Sequence, residues 1–129
     1  MNKILVEVSV GELLDKISIL EIKKEKIKES GRLKFVNDEY NVLKEQLKQK
    51  VKSDETLNEL FDSLKAINNR LWNIEDNKRM CEKNSDFGEN FIKLSRDIHF
   101  LNDDRAKIKL KINNHTGSKI KEIKEYTKY

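Results

Sequence analysis

Charged side chains interrupt the apolar stripes of three predicted helices, and these residues carry the chemistry that the sequence offers. Glu21 and Lys24 fall on the main apolar face of the first helix. Glu75 and Arg79 continue the stripe of the third helix at the point where its apolar residues end. Arg105 occupies the middle of the stripe on the fourth helix. Because an unpaired charge is costly to bury, such residues are expected to be paired, solvated or part of a polar site.

One interpretation is a pocket that binds an anion through lysine and arginine side chains. Glu21 and Glu75 would orient those cations or act as acid and base, and two asparagines would supply neutral hydrogen bonds. The candidate residues are Glu21, Lys24, Asn68, Glu75, Arg79, Asn102, Arg105 and Lys109. The other interpretation is a structural network, with Glu21 paired to Lys24 or Arg105 and Glu75 paired to Arg79, that fixes helix register. The sequence leaves both open.

Other reactive patterns receive less support. The Glu-x-x-Asp pairs Glu12/Asp15 and Glu59/Asp62 have the spacing of magnesium-binding pyrophosphohydrolases, but both lie mostly off the apolar faces, and we expect solvated surface. The Glu-x-x-His motif of di-metal bundles is absent. Cys81 has no histidine placed to activate it, so an ordinary thiol is expected. The four glycines are too dispersed for a phosphate loop. We therefore expect no metal and no cofactor.

Helical periodicity defines the elements that would position the candidate site. The chain contains no proline and only four glycines, which favours a few long helices. Ser9 and Glu12 form a capping-box pattern at the start of the first helix, and Gly31 is the expected stop after its end near Glu29. Later helices are predicted over residues 33–51, 55–82 and 89–115, with Ser53 or Asp54 as a cap and Gly117 as a stop. The alternation over 107–112 also permits a strand, but the longer 3.6-residue period favours helix.

The predicted fold is all-α: an antiparallel bundle of about four long helices with a short extended N-terminal arm. We expect residues 1–129 to form a single helical domain, with residues 1–9 as the arm and 118–129 as a basic tail. Ile19 and Ile22 make the first helix apolar on a second side, which indicates a central helix. The second helix has one narrow apolar stripe and is predicted to be an outer, structural helix. Ile120, Ile123 and Tyr126 would form either a last helical turn or a strand against residues 3–8.

Composition restricts the class of protein. Charged residues make up 39% of the chain and apolar residues 36%, and no apolar run is long enough to span a bilayer. The single cysteine cannot form an internal disulfide, so a cytoplasmic location is the simplest expectation. Residues 107–129 carry seven lysines against two glutamates. With Tyr126 and Tyr129 this tail has features of a nucleic-acid contact, although a solvated tail is the commoner explanation.

Several segments together resemble a family of small uncharacterised proteins found in bacteria and their viruses. The segments are Val8 to Lys23, Leu71 to Asp76, Asn102 to Ala106, Ile108-Lys109, Ile112-Asn113 and Gly117-Ser118. The resemblance implies one helical domain and an association with cell-surface sugar transfer. It implies no assigned activity, and so no catalytic residue can be carried over.

These observations favour a non-catalytic binding or protein-interaction module with a polar layer in the helical core. The alternative is a small helical enzyme or sensor that acts on an anionic metabolite, such as a sugar phosphate or nucleotide. A protein partner, a second copy of the chain and an anionic small molecule all remain candidate partners. Nucleic acid has little support, and no membrane partner is expected.

Overall fold

The computed structural model describes residues 2–120, 122–125 and 127–128. Within these residues the regular structure is entirely helical, which confirms the predicted all-α fold. The four helices are α1 (Val10–Lys26), α2 (Ser30–Lys50), α3 (Glu55–Lys83) and α4 (Glu89–Thr116). The 107–112 segment lies inside α4, so helical periodicity rather than the local alternation determines its conformation.

Side-chain caps define the helix ends. Ser9 Oγ accepts a hydrogen bond from the Glu12 backbone N–H at 3.0 Å, and the Asp54 carboxylate accepts one from the Leu57 backbone N–H at 2.7 Å. Each bond satisfies an N–H that the first helical turn leaves free. At the end of α4, Gly117 adopts φ 67°, a left-handed conformation that glycine reaches without a steric penalty. The predicted caps by Ser9, Asp54 and Gly117 are confirmed, whereas the Glu12 carboxylate of the predicted capping box accepts a hydrogen bond from Lys109.

The connection between α1 and α2 differs from the prediction. α1 ends at Lys26, and Gly31 lies in the first turn of α2 instead of closing α1. The reason is that Glu29 caps the N-terminus of α2: its carboxylate accepts hydrogen bonds from the backbone N–H groups of Gly31 and Arg32. A carboxylate is also favoured at a helix N-terminus by the helix dipole. α2 therefore begins three residues earlier than the apolar stripe indicates.

Long-range contacts establish the helix directions. His115 Nε2 near the end of α4 lies 2.8 Å from an Asp54 carboxylate oxygen at the start of α3. The Gly11 backbone N–H at the start of α1 donates to Asn113 Oδ1 near the end of α4 at 2.7 Å. α1 and α3 therefore run in the same direction and α4 runs against both. Since the connection from α1 to α2 is short, α2 returns antiparallel to α1.

α1 is the central helix of the bundle, as predicted. It packs against α2, α3 and α4, whereas α2 packs at backbone distance against α1 alone. The main core contains Leu14 and Ile17 of α1, Leu57 and Leu64 of α3 and Ile112 of α4. One face of α2 covers this core through Tyr40, Leu43 and Leu47. α2 is thus an outer helix, and a gap separates it from α3.

The described residues before α1 and after Gly117 lie outside the helices. Residues 2–8 are exposed and form no regular structure, which agrees with an extended arm. Ile120 and Ile123 are also exposed and lie in neither a helix nor a strand. Tyr126 and Tyr129 fall outside the described residues. No helix in the described part of the chain combines the length and apolar composition that a membrane span requires.

Candidate functional site

A buried carboxylate from α1 is the centre of the polar layer. Asp15 is 1% exposed, in the middle of the bundle. Its Oδ1 accepts a hydrogen bond from Asn68 Nδ2 of α3 at 2.8 Å. The same Asn68 nitrogen donates to Ser18 Oγ at 2.7 Å, and that hydroxyl donates to the Asp15 backbone carbonyl. These bonds hold the carboxylate in one orientation and connect α1 to α3.

Arg105 of α4 completes the coordination of this carboxylate. Its Nε donates to Asp15 Oδ1 at 3.0 Å, and its Nη2 donates to Asp15 Oδ2. This bidentate arrangement matches the planar fork of arginine to the two carboxylate oxygens. None of the hydrogen bonds among the described residues uses Arg105 Nη1, and the side chain keeps 28% of its surface exposed. Arg105 is therefore fixed by Asp15 through Nε and Nη2, while part of its side chain is available to solvent.

The electrostatic environment keeps Asp15 charged despite its burial. Burial by itself raises the pKa of the Asp15 carboxyl, but hydrogen bonds from Arg105 and Asn68 and the charges of Arg105 and Lys109 outweigh it, and its pKa lies below the ordinary value. The hydrogen bond to Asp15 also raises the pKa of Arg105. The pair is ionised at neutral pH.

Lys109 lies one helical turn farther along α4, behind this ion pair. Its ammonium contacts Glu12 Oε2 at 2.8 Å and Glu122 Oε2 at 3.1 Å, and it lies 3.8 Å from Asp15 Oδ2. Burial by itself lowers the pKa of Lys109. Its hydrogen bonds to Glu12 and Glu122 outweigh that effect, so the pKa of Lys109 lies above its ordinary value. Because three carboxylates surround its ammonium group, Lys109 is part of the structural network, and its charge is already neutralised without a ligand.

An open groove of about 540 Å³ lies on the opposite side of Arg105, between α1, α3 and α4. Its floor is apolar and its walls carry arginine, carboxylate and amide groups. The lining residues are Ile19, Ile22, Asn68, Leu71, Trp72, Glu75, Asp76, Arg79, Asn102 and Arg105. Glu75 and Arg79 are exposed, and neither takes part in any salt bridge formed among the described residues. The predicted ion pair between Glu75 and Arg79 is thus not among the salt bridges of the described residues.

The structure brings together five of the eight residues predicted from sequence. Asn68, Glu75, Arg79, Asn102 and Arg105 line this one groove, which includes part of the predicted polar layer. Lys109 belongs to the network behind it.

Glu21 and Lys24 lie elsewhere, on the side of α1 that faces α2. Glu21 accepts a hydrogen bond from the Tyr40 hydroxyl at 3.1 Å and pairs with Lys65 at 3.1 Å. The Lys24 ammonium lies over the Tyr40 ring, 4.0 Å from its centroid. The predicted pairing of Glu21 with Lys24 or Arg105 is therefore wrong. Tyr40 and Lys65 are nearer partners for Glu21, and Asp15 is the partner of Arg105.

Asp15 and Ser18 are the residues that sequence reasoning missed. The prediction that Glu12 and Asp15 form a solvated surface pair is wrong, because Asp15 is buried and Glu12 bonds Lys109. A signal was present: Asp15 lies four and seven residues before Ile19 and Ile22, on the second apolar side of α1. Glu59 and Asp62 are exposed, as predicted. Among the described residues, no group of three or more histidine, cysteine, aspartate or glutamate side chains is arranged to hold a metal ion.

The groove combines an aromatic ring with charges of both signs. Asp15 offsets the charge of Arg105, and Arg79 forms no salt bridge among the described residues, while Glu75 and Asp76 add two carboxylates to the lining. Trp72 is half-buried and supplies a broad apolar surface with one hydrogen-bond donor. Such a lining can hold a ligand that has one anionic group, several hydroxyl groups and an apolar ring face.

Comparison with protein families gives one match, over residues 4–129, to a family described as "Family of unknown function (DUF6165)". No curated protein and no solved structure matches the chain. The match covers almost the whole sequence, including all four helices and every residue of the groove. The chain belongs to the DUF6165 family of unknown function.

Proposed function

We propose that this protein is a non-catalytic binding module, and that the groove between α1, α3 and α4 binds a small anionic metabolite with a polar ring, such as a sugar phosphate. The observation that carries the proposal is the orientation of Arg105. Its Nε and Nη2 are held by buried Asp15, while its partly exposed side chain lines a groove that also contains Arg79 and Trp72. A guanidinium fixed in advance loses little side-chain entropy when it binds an anion.

The distribution of charge narrows the class of ligand. Arg79 and the exposed part of Arg105 suit one phosphate or carboxylate group. Glu75 and Asp76 on the same wall accept hydrogen bonds from hydroxyl groups and repel additional negative charge. A sugar monophosphate satisfies both conditions, with its ring against Trp72. A nucleoside triphosphate would place several negative charges beside two carboxylates and is disfavoured.

The experiment is a calorimetric titration of the full chain with a hexose monophosphate, glucose, inorganic phosphate and AMP in parallel. We expect the hexose monophosphate to bind more tightly than either glucose or phosphate, because each of these supplies only half of the contacts. Arg79→Gln should weaken hexose monophosphate binding by about tenfold or more, which corresponds to about 1.4 kcal/mol. Arg70→Gln is the matched control, since Arg70 is exposed on the same helix and does not line the groove.

Two results would overturn the proposal. One is the absence of binding by every probe; the other is binding that Arg79→Gln and Arg70→Gln weaken equally, since general charge attraction would then explain it. Recovery of the sugar phosphate after binding distinguishes the binding module from an enzyme that acts on the same ligand class. A binding module returns the compound unchanged, whereas an enzyme converts it.

A further inference from the structure

A second groove, independent of the one already described, lies between α2 and α3. It has a volume of about 700 Å³, and five apolar side chains form its floor: Leu14, Leu47, Val51, Leu57 and Phe61. Charged residues of α2 and α3 form its rim, among them Lys44, Lys48 and Asp62. The groove exists because α2 packs at backbone distance against α1 alone. The residues that line it are all different from those that line the groove between α1, α3 and α4.

The N-terminal arm is an apolar segment whose side chains lie exposed among the described residues. Ile4, Leu5 and Val6 are 86%, 83% and 74% exposed, and Val8 is 41% exposed. Side chains alternate along an extended segment, so Ile4, Val6 and Val8 share one side. A continuous apolar side of this kind in water indicates an interaction surface.

The arm and the groove match in length and in charge. From Ile4 to Val8 an extended chain spans about 13 Å at about 3.3 Å per residue. The groove follows α2 from Asn41 to Lys48, about 11 Å at about 1.5 Å per residue. Lys3 and Glu7 flank the apolar residues of the arm, and the rim offers both carboxylates and lysines to pair with them. The arm thus fits this groove as an extended strand-like ligand.

The attachment of the arm favours the groove of another molecule. Ser9 is buried, the Val10 backbone N–H donates to Ser118 Oγ, and the Gly11 backbone N–H donates to Asn113. These contacts hold the start of α1 on its α4 side, whereas the groove opens on its α2 side. To enter its own groove, the arm would have to turn from the α4 side of α1 to its α2 side, and in the structure Ile4, Leu5 and Val6 lie exposed instead. A second copy presents the groove without that turn.

We propose that two copies of the chain form a symmetric dimer in which the arm of each copy, residues 2–8, lies in the α2–α3 groove of the other. Reciprocal exchange forms two identical arm–groove contacts around one twofold axis, which closes the assembly at two chains. The apolar sides of Ile4, Val6 and Val8 cover Leu47, Leu57 and Phe61 of the partner copy. This assembly is independent of any ligand in the other groove.

The experiment is sedimentation equilibrium of the full chain over a wide range of concentration, with two variants and two matched controls. Ile4→Asp/Val6→Asp places charge on the apolar side of the arm, and Phe35→Asp makes a similar change at an exposed phenylalanine of α2 that does not line the groove. Asn58→Trp fills the groove, and Asn73→Trp adds the same bulk elsewhere on α3. Circular dichroism checks that every variant remains helical.

We expect the native chain and both controls to dimerise with concentration, and the arm variant and groove variant to remain monomeric. A mixture of the two monomeric variants should associate more weakly than the native chain, because the arm of the groove variant can enter the groove of the arm variant and one of the two contacts remains. A native chain that stays monomeric overturns the proposal. So does a dimer that survives the arm substitutions, a mixture that associates no more than its two components, or a dimer that survives the groove substitution, which pairing of arm with arm would give.

Discussion

The guanidinium of Arg105 binds both carboxylate oxygens of Asp15, and this single ion pair joins the centre of α4 to the centre of α1. The two partners differ in exposure, since the Asp15 side chain is 2% exposed and that of Arg105 is 28% exposed. The pair therefore has a structural side, formed by Asp15, Asn68 and Ser18, and a solvent side, formed by Arg105. Loss of Arg105 therefore leaves a charge in the core, whereas loss of the Asp15 charge leaves a cation that water can reach.

Removing Arg105 should destabilise the protein more than removing the charge of Asp15. Arg105→Met leaves a buried carboxylate without its main partner, at a cost of about 3–5 kcal/mol in the free energy of unfolding. Asp15→Asn leaves a guanidinium that water can still reach, so its cost is smaller. Urea unfolding of both variants and of the double variant measures the coupling between the two residues, for which we expect about 0.5–3 kcal/mol. Additive effects of the two substitutions would contradict the ion pair.

Acid should destabilise the protein through Asp15. Burial opposes the charged form of this carboxyl, but its hydrogen bonds and neighbouring charges give a folded-state pKa below the unfolded value of about 3.9. The unfolded state then binds the proton more readily, so the stabilisation is present above about pH 4 and is lost as pH falls through the folded pKa.

Thermal unfolding of native and Asp15→Asn chains from pH 7 down to pH 2 measures this effect. The variant starts less stable at pH 7 and should lose less on acidification. Asp38→Asn is the control, because Asp38 forms an exposed pair with Lys34 and should leave the pH profile close to native. Parallel profiles for native and Asp15→Asn chains would exclude Asp15 as the source of the acid sensitivity.

A methyl group at Gly11 should separate α1 from α4. A Cβ at this position would lie 2.6 Å from the Lys109 backbone carbonyl oxygen and 2.9 Å from Asn113 Oδ1. Because the first of these is backbone, the helices must move apart, and overpacking of this kind costs about 1–3 kcal/mol. Gly88→Ala is the comparison, since its nearest neighbour would be Asp86 Oδ1 at 3.5 Å. Equal losses of unfolding free energy for Gly11→Ala and Gly88→Ala would show that α1 and α4 tolerate the methyl group.

Substitutions at Arg79 and Arg105 should differ in their effect on stability, although both residues line the same groove and both substitutions should weaken ligand binding. Arg79→Gln changes an exposed side chain and should alter the free energy of unfolding by less than about 0.5 kcal/mol, while lowering affinity for a hexose monophosphate. Arg105→Lys keeps the charge but loses the bidentate geometry, so it should lower both stability and affinity. A variant at Arg79 that unfolds as easily as one at Arg105 would place Arg79 in the structural network instead.

The helices were predictable from sequence because their signals are local. Ser9, Asp54 and Gly117 act within one helical turn, and each has the role that its residue type and position predict. The start of α2 was not predictable in the same way. A glutamate cap and a glycine stop compete over residues 29–31, and the backbone hydrogen bonds to Glu29 decide between them.

The candidate site was only partly predictable. Charged and amide residues on or beside the apolar stripes identified five residues of one groove, because a side chain on the inner face of a helix must meet something in the core. The same rule placed Glu21 and Lys24 in that layer, where the structure does not have them. A single helix cannot reveal which neighbour its charged residue will face, and α2 covers that side of α1.

The sequence by itself determined four helices, their approximate bounds and the presence of polar residues on their inner faces, since helical period and capping depend on neighbours along the chain. Only the tertiary structure decided which side chains these polar residues contact. Asp15 lies off the main apolar face of α1, yet α1 is surrounded by three helices and has little outer face. Burial therefore required a cation for Asp15, and the approach of α4 supplied Arg105 across 90 residues of sequence.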